Sequence, residues 1–166
     1  LKAEFRDYLE SRGPWLMCAF FLFPVFISKT ITLMGFDDLC LGENWKAFTE
    51  AAWGGADAYC SAMALYLLLS PLVFLWMYSK ARLQEVYDAK AVLIASGNFG
   101  IFLFLLFLAL VGPSASSIED PAKGLKLILI LGRSHAIFCM MYGCLVMACV
   151  ATGYVSVSIF WKSLIK

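Results

Sequence analysis

The sequence is poor in the residues that water demands. Charged side chains make up 15% of the 166 residues, against about 25% in an average soluble protein. There is one histidine, His135. A haem held by two histidines is therefore excluded within the chain, and so is a zinc site built on several imidazoles. The six cysteines form no C-x-x-C, which argues against a thiol–disulfide relay of the usual kind. They are scattered, so no structural zinc site is expected, nor any other metal or cofactor. No H-E-x-x-H, no G-x-S-x-G and no glycine-rich phosphate loop occurs, and no serine has a base at a telling spacing. No basic cluster suits nucleic acid. No row of intramembrane carboxylates suggests proton or ion transport. These absences point away from an enzyme and toward a binding protein. A small oligomeric transporter or channel is a less favoured alternative.

What is present is apolar. Hydrophobic residues account for 62% of the chain, and the mean hydropathy is +0.81. Four long runs carry it: Trp15–Gly35, Ala58–Tyr78, Ala91–Gly112, and a fourth from Leu127 to Trp161. A bilayer core needs about 20 helical residues, and each run supplies them. None has a polar face to give to water, which argues against a soluble bundle. Strict alternation is absent, which argues against a barrel. The expected fold is all-α, a polytopic membrane protein folded as one domain in an up-down bundle of four transmembrane helices. The first run is expected to be a membrane helix rather than a secretory signal. The tail before it is long and mixed in charge, and no small-residue cleavage site follows.

Basic residues set the orientation. The N-terminal tail (Lys2, Arg6, Arg12), the loop between the second and third runs (Lys80, Arg82, Lys90) and the C-terminal tail (Lys162, Lys166) fall on one side. Lys46, Lys123, Lys126 and Arg133 fall on the other, among the acids Asp37, Asp38, Glu43, Glu50, Asp57, Glu119 and Asp120. The positive-inside rule then places both termini in the cytoplasm. In a bacterial inner membrane, the longer loops would face the periplasm.

The first outer loop contains "WKAFTEAAW", and Asn44 to Ala52 reads as a short amphipathic helix, ended by "WGG", with Trp45, Phe48, Ala52 and Trp53 on one side. The expectation is a segment lying in the interface with tryptophan as its anchor. Either a helical linker or a partner-binding surface fits that pattern. The second outer loop, "GPSASSIEDPAKG", reads as irregular. The stretch around Lys80–Lys90 has good helix formers and is expected to extend its flanking helices as a hairpin.

Individual polar residues then stand out. Lys29 lies within the outer half of the first run, either snorkelling to the interface or pairing with Asp57 at the mouth of the second. Arg133 and His135 sit at the mouth of the fourth, about 200° apart on a helix, so they form no compact catalytic pair. Arg133 is expected to meet lipid phosphate or Asp57. Asn98 lies among Ser96, Gly97 and Gly100 in the third run, where small residues allow close helix approach and an amide can bond across helices. Ala136, Gly143 and Ala148 give the fourth the same character. Pro24 and Pro71 predict kinks. Cys139, Cys144 and Cys149 share no face and read as small apolar filler. Cys40 and Cys60 are both on the outer side, where either a disulfide or two free thiols fits. Lys29, Trp45, Phe48, Asp57, Asn98 and Arg133 are the candidate partner-binding residues. The expected partners are lipid and another membrane-inserted protein, not nucleic acid.

One further pattern concerns the second run. It opens with Ala58, Tyr59 and Cys60 and continues leucine-rich to a close marked by Trp76, Tyr78, Lys80 and Arg82. With the size, the four helices and the cytoplasmic termini, this resembles the four-helix immunity proteins that protect bacteria from pore-forming colicins. The chain lacks the very basic tail of that group. The resemblance implies no catalytic residue. It implies recognition, within the inner membrane, of a toxin's inserting hydrophobic hairpin. An accessory or assembly subunit of a larger membrane complex would look much the same in sequence.

Overall fold

Helix is the form these runs take because a backbone without water must satisfy its own polar groups. The computed structural model describes residues 2–35, 40, 42–55, 57–80, 89–119 and 121–164. The expected hairpin tip at 81–88 lies outside them, as do Asp37, Asp38, Arg82, Asp120 and Lys166 from the charge comparison. Six α-helices are found among the described residues: α1 (Lys2–Leu33), α2 (Glu43–Trp53), α3 (Asp57–Lys80), α4 (Ala89–Val111), α5 (Lys123–Leu131) and α6 (His135–Leu164). Four of them, α1, α3, α4 and α6, are long and apolar enough to cross a membrane.

The long helices stand in the order α1, α3, α6, α4, with α1 also touching α6. Side-chain contacts fix their directions. Arg6 meets Ser79 and Tyr66 meets Phe21, so α1 and α3 are antiparallel. Tyr142 meets Ala109 while Cys149 meets Phe102, so α4 and α6 are antiparallel too. Phe138 packs on Tyr59 and Tyr154 on Phe74, so α3 and α6 run parallel. The bundle therefore has a terminal end, where α1 starts and α6 ends, and an opposite end capped by α2, α5 and a 3-10 turn at Ala115–Ile118. The core runs along the α1–α3–α6 seam through Phe20, Met63, Tyr66, Val73, Cys139 and Val146.

Several expectations are corrected. α1 begins at Lys2, ahead of the apolar run at Trp15, and Arg6 donates to the Ser79 carbonyl at 3.1 Å, tying this part of the helix along α3. The fourth run is not one helix. It breaks at Gly132–Ser134 into α5 and α6. Nine residues of α5 rise about 14 Å, too little to span. The break persists because the Tyr59 hydroxyl donates to the Gly132 carbonyl at 3.1 Å, and the Trp53 ring occupies the place a side chain at Gly132 would take. The second outer loop contains the 3-10 turn and the start of α5 rather than irregular chain alone.

Pro24 and Pro71 fall inside α1 and α3. Pro24 denies the Phe20 carbonyl its helical donor. The Tyr66 hydroxyl donates to the neighbouring Phe21 carbonyl at 3.1 Å. A polar group from α3 thus reaches the disturbed stretch of α1, as membrane helices with proline require. Gly143 lets that tyrosine approach, since a Cβ there would lie 2.7 Å from the Tyr66 ring. Ala136 and Ala148 instead face outward.

Candidate functional site

The polar chemistry of the described residues gathers at the capped end. There, helix C-termini leave carbonyls without intrahelical donors. Aromatic side chains supply the donors. The Trp45 indole Nε1 donates to the Ala109 carbonyl at 3.0 Å, and the Tyr142 hydroxyl donates to the same oxygen at 2.8 Å. The Trp53 indole Nε1 donates to the Leu129 carbonyl at 3.1 Å. Trp53 also stacks on Tyr59 at 4.8 Å between ring centroids, and Phe138 packs edge-on against both. Indole and phenol suit this task because they offer one donor on a large apolar body.

α2 is positioned by this layer. It ends where the sequence suggested, at Gly54 in the left-handed conformation. Its apolar side does not lie in the interface. Trp45 is 7% exposed and Phe48 is fully buried. They face the bundle rather than lipid because the Ala109 carbonyl draws the indole inward and Phe138 and Tyr142 receive its ring. Gly112, with φ near +75°, closes the fit. A Cβ there would lie 2.7 Å from the Trp45 ring.

A disulfide joins Cys40 to Cys60, with the Cα atoms 4.6 Å apart. It ties the segment entering α2 to the first turn of α3, next to Tyr59. Of the other cysteines, Cys139 and Cys149 are buried as filler, whereas Cys18 and Cys144 are exposed.

His135 opens α6 and points into the α1–α3–α6 seam. Its Nε2 lies 3.1 Å from Ser28 Oγ on α1 and 3.2 Å from the Ala58 carbonyl on α3. Either Nε2 carries the proton and donates to Ala58, or it accepts from the Ser28 hydroxyl. With the proton on Nε2 the imidazole ties α6 to α3, and with the lone pair there it ties α6 to α1. The pair is spaced like a nucleophile and its base. Yet Ser28 is fully buried, and Nδ1 lies 3.8 Å from the Cys139 thiol rather than against a carboxylate. The geometry is that of a tie.

The remaining candidates spread out. Lys29 and Arg133 are exposed at the capped end, and Asp57 is half-buried at the first residue of α3. Among the described residues no ion pair joins Asp57 to Lys29 or to Arg133. Asn98 is half-buried on the side of α4 that meets α6, and its amide makes no hydrogen bond among the described residues. Gly97 and Gly100 look the opposite way, where an added Cβ would meet nothing. Among the described residues no group of three histidine, cysteine or acidic side chains is placed to hold a metal.

Sequence reasoning missed the aromatic capping of helix ends, although Tyr59, Tyr142 and Trp53 near Gly112 and Gly132 were visible. It also missed a cavity of about 450 Å³ between α3 and α4, floored by α6. Compared with protein-family models, curated proteins and solved structures, the chain finds no match.

Proposed function

We propose that this protein crosses a membrane four times and acts, without catalysis, by binding another membrane-inserted protein. The observation that carries this reading is the outward face of α4. Leu93, Gly97, Gly100, Phe104 and Phe107 follow one another on that face, all exposed. α4 is also the least covered of the four candidate spans. Two open glycines between large apolar side chains offer a partner helix a close approach and van der Waals contact. Asn98 on the adjoining side adds an amide able to bond across helices. Lys29, Asp57 and Arg133 add charge at the capped end, where a mismatched partner would lose more than a matched one gains.

The capped end is read as facing an oxidising compartment and the chain ends as cytoplasmic. The Cys40–Cys60 disulfide supports this, since such bonds persist where thiols are not kept reduced. The basic residues of the terminal flanks support the same orientation. In a bacterial inner membrane the partner would be an inserting toxin hairpin, as the immunity resemblance implies, or a subunit of a larger complex. Two measurements separate these. The chain is expressed in toxin-sensitive cells that are then challenged with pore-forming toxins, and the tagged chain is recovered from native membranes. Protection supports the toxin reading. Co-purification of defined subunits, lost in the Gly97→Leu/Gly100→Leu variant, supports the other. Substrate flux by the purified chain in liposomes would overturn both.

A further inference from the structure

A second site lies within the bundle. Among the long helices, α4 packs on α6 and leaves a cleft beside α3. Phe74 of α3 and Phe102 of α4 form its walls, and Gly153 of α6 lies in its floor. Three hydroxyls line this otherwise apolar space: Ser70, Tyr154 and Ser158. None of the three makes a hydrogen bond among the described residues.

That silence is unusual here. A helical serine or threonine commonly bonds back to a carbonyl three or four residues earlier. Thr30, Thr32, Thr49, Ser96, Thr152 and Ser156 all do so in this protein. Ser70 and Ser158 do not, and both line the cleft; Ser61 of α3, buried outside the cleft, is the other helical serine among the described residues whose hydroxyl is unpaired. Beside Ser70, Pro71 also denies the Leu67 carbonyl its helical donor. Hydrogen-bonding capacity is thus left unused in an otherwise apolar cleft.

We propose that this cleft binds an uncharged lipid through a hydroxyl, ester or ketone oxygen that hydrogen-bonds Ser70, Tyr154 or Ser158. The lining has no charged side chain, so a charged headgroup would lose its hydration there without compensation. A bare acyl chain would fill the space but leave the hydroxyls unpaired. The volume of about 450 Å³ is that of a small-ligand pocket. A helix with its side chains is about 10–12 Å across, so the cleft would admit only about one turn of one. Ser158 lies roughly 5 Å along α6 from Trp161 at the terminal end, and Ser70 roughly 13 Å along α3 from Ser79. The cleft therefore runs from near one interface into the hydrocarbon. Phe74 and Val157 are 48% and 59% exposed at its rim, so entry is sideways, from the bilayer.

The test uses the full chain in phosphatidylcholine nanodiscs and a diacylglycerol carrying a diazirine in one acyl chain. A phosphatidylglycerol with the same chain is the charged comparator. The neutral probe should label peptides containing Phe74 and Tyr154 roughly five- to tenfold more than the charged one, and unlabelled diacylglycerol should compete. In the S70A/Y154F/S158A variant, labelling should fall by a similar factor. Equal labelling by the two probes would overturn the proposal, as would labelling indifferent to the three substitutions. Should that variant fail to fold, the comparison of probes on the unaltered chain decides alone.

Discussion

His135 Nε2 stands 3.1 Å from Ser28 Oγ, across 107 residues of sequence, while also touching the Ala58 carbonyl at 3.2 Å. One side chain thus meets both α1 and α3 from the capped end of α6. Hydrogen bonds between membrane helices are worth about 0.6 kcal/mol on average and at most about 1.7. His135→Ala should therefore lower stability by about 1–2 kcal/mol, and Ser28→Ala by less, because Ala58 still accepts from the imidazole. The double variant should cost less than the two singles together. Unfolding in mild detergent reads all three. Strictly additive losses would show that the two side chains do not interact.

The Trp45 layer makes a second, sharper prediction. Trp45→Phe keeps the ring body and loses the N–H, while Tyr142 still serves the Ala109 carbonyl. The expected loss is about 1 kcal/mol. Gly112→Ala should cost more, about 2–3 kcal/mol, since it meets both a positive φ and the indole ring. The same unfolding measurement applies. A neutral Gly112→Ala would mean that the indole does not pack there.

Breaking the Cys40–Cys60 bond frees a segment of 20 residues. Cys40→Ser/Cys60→Ser should lose about 3 kcal/mol, mainly by releasing the unfolded chain. In intact cells, an impermeant maleimide should modify Cys40 and Cys60 only after reduction. Modification of both without reductant would show that the bond does not form, and no modification of Cys40 even after an impermeant reductant would place the capped end on the cytoplasmic side and reverse the orientation.

Much of this was legible in the sequence, and the reason is physical. A membrane span is announced by length and apolarity alone, so α1, α3 and α4 followed from their runs. The α2 helix followed from its periodicity and from Gly54. Which way its apolar side turns did not follow, because lipid and protein interior favour the same side chains. Only the Ala109 carbonyl, 64 residues from Trp45, decides between them. The break at Gly132 was hidden for the same reason, as it depends on Tyr59 and Trp53 from other helices. The disulfide was one of two readings that spacing and side allowed. The cleft was hidden altogether, since the unpaired state of Ser70 or Ser158 is a property of packing.

The outward face of α4 is the central claim, and site-specific photocrosslinking in native membranes tests it most directly. Benzoylphenylalanine is placed singly at Leu93, Phe104 and Phe107, which look outward, and at Phe102 and Leu105, which turn toward α6. The account predicts one discrete protein adduct from the first three positions, none from the other two, and its loss when Gly97 and Gly100 are both changed to leucine. No adduct from the outward positions, or an adduct that ignores both helix face and glycine substitution, would contradict it.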